Sequence, residues 1–556
     1  MESGAIVVSS KTLGLISSGI YRSPASALKE LISNAFDADA TWVSVSMTPP
    51  NFDVVSVTDS GSGIERAKFL KLMKGQIGDS DKRNDGDRSP LLHRPLIGRI
   101  GIGLLAIVQI CHGFEVISHH KASGTAFRAR VQISDDTQDT IDKALLDPTE
   151  TGTYKLDIGS FILNDIDFDE TRSGTAIIAT DLKYGFLRRM LRASDTMRDG
   201  DEGGKTEIAT KNGIGMLVNE NEVAALAESI VTEELPPLLP TTFDRFFSSV
   251  VKHKSIREVS EYWRTTWNIA LAAPLPYYDD GPVRGHPVNI ARQKELESFD
   301  FAVVVDGLPL RRPVLLPARP ADQRSPRDMH VEILTIDSLV DGTRLRGQGY
   351  IYSQGGKSIY PAELRGMLIR IKGVAIGEYD RSFLDYPIVE GPRYSWLSGE
   401  IDIEEGLEDA LNIDRDSFNQ AHPHFLEVQS LIYQALDRHV RPWLYRNLTV
   451  RKNARTEEAT VTRQQRLNET VAQFLPDAHV ERVSISSPHS QNRFVSPVRI
   501  DDADASIEVN ESAPLTHEKR NRDLGQEIAI GFELALRAPT LDEVRRQFYE
   551  YLRVIL

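Results

Sequence analysis

Glu30-Leu-Ile-Ser-Asn34-Ala-Phe-Asp37-Ala38 is the stretch on which the reading of this chain turns. At about 100° per residue, a helix brings Glu30, Asn34 and Asp37 within about 60° of one another. Leu28, Leu31, Ile32 and Ala35 then form a core stripe on the opposite side. A solvated helix face ordinarily carries Lys, Arg and Glu. Carboxylates in register with an amide instead supply donors for a magnesium ion and a bound water.

Ser23-Pro24 reads as an N-cap followed by proline at the first helical position, and the helix ends near Asp39. Thr41 to Met47 and Val54 to Thr58 alternate with β-branched residues and are predicted strands. Asp59 stands just past the second. Ile64 to Lys74 is helical in pattern, and Gly78 to Pro95 reads as a mobile, charged loop. Beyond Gly101 another helix is expected. Short strand-like runs follow at Phe114 to Ser118, Phe127 to Ile133, Tyr154 to Ile158 and Ala176 to Thr180. The first domain is therefore an α+β sandwich of helices on a mixed sheet.

Two glycine motifs sit at the joints of this pattern. Asp59-Ser-Gly61-Ser-Gly63 follows a strand directly, and Gly98-Arg-Ile-Gly101-Ile102-Gly103 opens a helix. Glycines let backbone amides approach phosphate oxygens, and a helix N-terminus adds its positive dipole end. Ser173-Gly174-Thr175 enters a late strand.

These four elements, in this order, resemble the ATPase domain shared by gyrase B, the heat-shock chaperones, histidine kinases and MutL, the GHKL superfamily. The likeness covers about the first 185 residues and implies a Bergerat-type α/β sandwich that binds ATP with Mg²⁺. It implies Glu30 as the general base that polarises the attacking water, and Asn34 as the amide that holds Mg²⁺. Asp59 would accept from the adenine amine, Gly61 and Gly63 would lie beside the base, and Thr175 would reach adenine through water. Gly98, Gly101, Ile102 and Gly103 correspond to the phosphate turn. Of Asp37 and Asp39, one stabilises the pocket and the other is simply exposed. Residues 64–100 would form the ATP lid, in which Ile77-Gly-Asp-Ser-Asp-Lys82-Arg83 resembles the lid of MutL and MORC proteins. Lys82 either meets a phosphate or is solvated among Asp79, Asp81 and Asp85.

In the second region, Ile369-Arg-Ile-Lys-Gly-Val374 followed by Leu411-Asn-Ile-Asp-Arg415 is similar to the middle domain of the heat-shock chaperones. That likeness implies Arg415 as the sensor of the γ-phosphate, with Asp414 departing from the family's serine. Lys357, in Ser-Gln-Gly-Gly-Lys, is the rival, because gyrase B and MutL use a transducer lysine after glutamine. The expected domains are 1–235 (ATP-binding), 241–450 (middle, transducer-like) and 451–556, a linker-rich region ending in an amphipathic helix capped by Thr540 and Glu543.

The chain has 556 residues, and its net charge of −15 argues against a surface that is a nucleic-acid footprint throughout. A local patch survives, with Arg438, Arg441, Arg446, Arg451, Lys452, Arg455, Arg463 and Arg466 around Trp443 and Tyr445. One cysteine, Cys111, allows no internal disulfide. With no leader-like start and no long uncharged apolar run, a cytoplasmic protein without membrane contact is expected. Two functions fit. The first is an ATP-hydrolysing clamp that pairs as a homodimer on ATP binding and acts on a protein client or DNA. The second is a nucleotide-sensing regulatory subunit with little turnover, working beside nucleases or helicases in defence against foreign DNA.

Overall fold

The structure, a computed structural model, describes residues 1–9, 24–49, 51–74, 88–97, 103–134, 155–169, 173–191, 243–279, 281–282, 288–316, 329–354, 358–388, 391–412, 416–474, 479–486, 498–501, 506–512 and 540–555, with a few isolated positions between 528 and 536. It divides into two compact units, Met1–Leu444 and Tyr445–Leu556.

The first unit holds two sheets. Strands β1 (Glu2–Ser9), β2 (Trp42–Ser46), β3 (Val55–Asp59), β4 (Cys111–His120), β5 (Thr125–Ile133), β6 (Lys155–Ile166), β7 (Gly174–Leu182), β8 (Ala302–Val305) and β9 (Leu308–Pro309) form one nine-stranded sheet. Its order is β1-β6-β5-β4-β7-β3-β2-β8-β9. The Glu30 helix, α1 (Pro24–Asp37), packs against the one-turn-per-three-residue helix Gly103–Gln109. Helix α2 (Arg66–Met73) and α3 (Tyr184–Met190) follow the boundaries read from sequence or add short turns to it.

The expected break near residue 241 does not separate the sheets. β8 pairs in parallel with β2, Trp42 opposite Ala302, so the second region completes the first sheet. Asp306 locks the joint: it accepts from Ser46 Oγ at 3.1 Å, Met47 N at 2.9 Å and Tyr262 Oη at 2.6 Å. Helices α4 (Phe243–Val250) and α5 (Glu261–Ala272) continue the same core, with Phe246 and Phe247 against Trp267. Ser260 caps α5 by accepting from Trp263 N.

The second sheet has the order β10-β11-β14-β12-β13, from β10 (Met329–Val340), β11 (Thr343–Gln354), β12 (Gly366–Ile371), β13 (Val374–Asp380) and β14 (Leu397–Glu405). The stretch Ile369–Val374 runs through a hairpin that reverses at Lys372-Gly373. Its interior is charged. Arg370 and Glu400, 1% and 3% exposed, pair at 3.1 Å, and Tyr277 donates to Glu400 at 2.6 Å. Burial alone would raise the Glu400 carboxyl, but Arg370 and Arg312 outweigh it and hold the pKa at about 2. Asp402 beside it is paired with Arg292, on α6 (Val288–Ser298). Helix α7 (Pro423–Ala435) buries Phe425, Val428 and Ile432.

The boundary between the units falls inside α8 (Arg441–Phe474). The region 451–556, expected to be linker-rich, contains the rest of that helix and strands β15 (His479–Ser486), β16 (Val498–Asp501) and β17 (Ser506–Ser512), a three-stranded sheet. Val480 and Leu467 are buried in this unit, as is Tyr551 of the closing helix α9 (Leu541–Ile555). Glu543 N donates to Thr540 Oγ1 at 3.3 Å, the expected cap. Among the described residues no helix is long and apolar enough to cross a membrane.

Candidate functional site

Helix α1 is buried nearly all round. Lys29, Glu30, Ser33 and Asp37 are as hidden as its apolar residues. The polar face is therefore covered by other segments of the chain and is not a wet surface. Asn34 lies against Gly103: a Cβ built on that glycine would come within 2.3 Å of the Asn34 amide nitrogen. Any side chain at position 103 would displace the amide, and this explains a glycine where the helical segment starts.

The two aspartates at the end of α1 both grip one segment. Asp37 accepts from Ile97 N at 2.7 Å. Asp39, in the left-handed region at φ 61°, accepts from Leu91 N at 2.9 Å and Leu92 N at 3.1 Å. Neither is simply exposed, contrary to the expectation for one of them. Between them Arg94 enters the interior, donating to Ala40 O at 2.6 Å and Asp300 O at 2.9 Å and lying over the rings of Phe36 and Phe301. Residues 88–97, expected to belong to a mobile loop, are thus fastened to α1 and the first sheet, and Arg88 bridges Pro95.

On the other side of α1, Gly61 packs on Ala38, and Ser62 N donates to Ala38 O at 2.8 Å. Asp59, half-buried at the end of β3, accepts from Gly61 N at 2.8 Å. Burial pushes its carboxyl up to about 6, and the Gly61 and Thr175 amides only partly offset this. Gly63 and Gly174 adopt φ of 79° and 107°, and a Cβ on either would strike backbone, His119 O at 2.2 Å and Asp59 O at 2.0 Å. Thr175 is buried beside Asp59, its hydroxyl 3.3 Å from Ser118 Oγ, which also accepts from Ile64 N at 2.7 Å. Ser118 was not singled out by sequence; nothing local distinguishes it from any strand serine.

The structure thus brings Glu30, Asn34, Asp37, Asp59, Gly61, Gly63, Gly103 and Thr175 into one contiguous region around α1. Lys82, Gly98, Gly101 and Ile102 lie outside the described residues, as do Lys357 and Arg415. The neighbour of Arg415 is placed, however. Asp416 forms an ion pair with Lys29 and accepts from Ser26 Oγ at 3.2 Å, both on α1. Further along, Lys372 donates to Leu96 O at 3.2 Å and pairs with Glu408 at 3.0 Å.

No group of three or more His, Cys, Asp or Glu side chains stands ready for a metal among the described residues. A single amide such as Asn34 fits a cation whose other ligands come from phosphate and water. The basic run around α8 is partly engaged: Arg441 pairs with Asp437 at 2.8 Å, and Trp443 stacks on His330 at 5.4 Å.

A half-buried acid beside Gly61 and Gly174 thus stands near a helix carrying a carboxylate and an amide. Residues 21–157 match the family model described as "Histidine kinase-, DNA gyrase B-, and HSP90-like ATPase". The matched residues make up about a quarter of the chain, and within them the chain is similar to proteins of the GHKL ATPase superfamily, MutL among them. It is 29% identical over 135 residues to the DNA mismatch repair protein MutL of Anaplasma phagocytophilum, covering 24% of this chain and 20% of that one. It is 34% identical over 111 residues to a protein of Herpetosiphon aurantiacus named "Putative type II restriction enzyme HgiDII", covering 19% and 16%. The MutL of Ehrlichia chaffeensis is 28% identical over 150 residues, covering 27% and 21%. The chain therefore spans about a fifth of the length of the curated relatives it matches.

Proposed function

We propose that this protein is an ATP-hydrolysing conformational clamp that couples nucleotide binding to a DNA-associated process. On this reading Glu30 orients and deprotonates the attacking water, and Asn34 holds Mg²⁺, which neutralises charge on the phosphates. Asp59 accepts from the adenine amine, with Thr175 beside it, and Gly61, Gly63, Gly98, Gly101, Ile102 and Gly103 give the backbone room to approach base and phosphates. Lys82 supplies charge from the lid, whose closure leaves residues 88–97 in place, since they are tied to α1. ATP binding pairs two chains, and hydrolysis releases them.

The observation that carries this reading is the seat of Asp416 on Lys29 and Ser26. Asp416 stands on the helix containing Glu30, and we take its chain neighbour Arg415 as the second-region cation that answers the charge building on the γ-phosphate. The names of the relatives, mismatch repair and restriction, favour DNA over a protein client.

The test is Mg²⁺-ATP hydrolysis by the wild type, Glu30→Gln, Arg415→Ala and Lys357→Ala, with and without duplex DNA. Glu30→Gln is expected to lose about 10²–10⁴-fold in rate while still binding nucleotide. Absence of hydrolysis in the wild type refutes the enzyme reading and leaves the nucleotide-sensing subunit. Normal turnover by Arg415→Ala with loss in Lys357→Ala transfers the sensor role to Lys357. Stimulation by DNA that collapses with salt supports the DNA clamp.

A further inference from the structure

We infer that Lys372 is a positioning residue through which the second sheet sets the Leu96–Ile97 peptide against the Asp37 end of α1. This rests on the ATPase reading above and assigns a part of the machinery that the site motifs do not contain.

Lys372 and Gly373 form the two-residue turn of the β12–β13 hairpin, between the paired Ile371 and Val374. Their φ values are 50° and 87°, the mirror-type turn whose first position ordinarily takes Asn, Asp or Gly. Lysine there is conformationally unfavourable, and its side chain is not in solvent: only 9% of it is exposed. The ammonium is spent on two partners, Glu408 at 3.0 Å and the Leu96 carbonyl at 3.2 Å.

The position of that carbonyl gives the contact its meaning. Leu96 precedes Ile97, whose amide is held by Asp37, and Gly98 comes next. One peptide unit is thus gripped from both sides, by α1 through Asp37 and by the second sheet through Lys372. The hairpin is itself pinned: Lys372 N donates to Ile403 O at 3.0 Å, Gly373 N to Asp402 at 3.1 Å, and Arg312 to Gly373 O at 2.8 Å. The buried ion pairs of the second sheet therefore fix the turn, and the turn holds the Leu96–Ile97 peptide, which directly precedes Gly98 in the chain. Orientation of backbone amides on phosphate depends on such support.

The strain at Lys372 supplies the test. Lys372→Gly removes the side chain and relaxes the backbone, so the turn itself is favoured. The full chain is compared as wild type, Lys372→Gly and Lys372→Arg for thermal melting and for Mg²⁺-ATP turnover. Lys372→Gly is expected to melt cooperatively near the wild-type temperature, to raise KM for ATP on the order of tenfold and to change kcat less than about threefold. Lys372→Arg should recover most of KM. Unchanged KM in Lys372→Gly overturns the inference, as does loss of cooperative melting, which would make the lysine a support of the fold. A wild type that binds no ATP refutes the ATPase reading instead.

Discussion

Lys29 and Asp416 form an ion pair across a sequence separation of 387 residues, and each is the immediate neighbour of a residue expected to act on ATP. Lys29 precedes Glu30, and Asp416 follows Arg415. Their side chains are 10% and 20% exposed, so the pair is only weakly screened by solvent. Ser26, one turn earlier on α1, donates to the same carboxylate, which fixes its orientation as well as its distance. Asp416→Asn keeps the shape and removes the charge, and it should lower kcat about tenfold with a smaller change in KM, because a sensor cation acts where charge develops. Steady-state kinetics of Lys29→Met, Asp416→Asn and the double variant check this. A double variant no worse than either single one is the signature of a shared role, and strictly additive losses would refute it.

Asp59 makes a different prediction, from pH. Its carboxyl titrates at about 6 in the folded chain against an ordinary 3.8, because burial disfavours the ionised form. Between those values the folded protein holds a proton that the unfolded chain has released. The group's contribution to stability is therefore fully present below about 4 and is lost as pH rises through about 6. Asp59→Asn removes this dependence, so the difference in melting temperature between variant and wild type should grow in the variant's favour from pH 4 to 7. Nucleotide runs the other way. An adenine amine is held more strongly by the ionised acceptor, so ATP affinity of the wild type should fall as pH drops through about 6. Melting scans and calorimetric titrations at pH 5, 6 and 7 measure both; pH-independent affinity would remove Asp59 from the base site.

What the sequence disclosed about this fold was local. The register of α1 and the strand leading to Asp59 each follow from a period within a few positions, and the structure keeps them. Pairing of β8 with β2 has no local signature, since parallel strands far apart in the chain carry only apolar runs. Ile369 to Val374 hid its turn because lysine stands where asparagine or glycine marks a hairpin. The grip of Asp37 and Asp39 on residues 91–97 was equally silent. Charged, proline-broken sequence reads as a loose loop whether or not tertiary carboxylates hold its amides. The polar region 479–512 hid three strands because their alternating runs, such as Val498-Arg-Ile-Asp501 and Ile507-Glu-Val509, are short and stand among serine-, arginine- and aspartate-rich sequence.

Arg94 is where that silence is most consequential. Its residue is 3% exposed, and its guanidinium serves the carbonyls of Ala40 and Asp300 while lying 4.9 Å from the Phe36 ring centroid and 5.5 Å from that of Phe301. Burial lowers its pKa, with the charges of Asp39 and Asp300 opposing. Phe36 is the residue before Asp37, and Asp300 leads into β8, so one side chain joins the end of the Glu30 helix, residues 88–97 and the sheet edge supplied by the second region. Arg94→Met retains the apolar stem but leaves two buried carbonyls unsatisfied, which is expected to cost about 2–4 kcal/mol in urea unfolding. Arg94→Lys should recover less than half, because an ammonium neither lies flat between two rings nor reaches both carbonyls. The loss should also appear in ATP binding: with the 88–97 segment released from α1, the amide of Ile97 no longer meets Asp37 in a fixed geometry. A variant destabilised as expected but binding ATP with wild-type affinity would show that the segment and the nucleotide site are energetically separate.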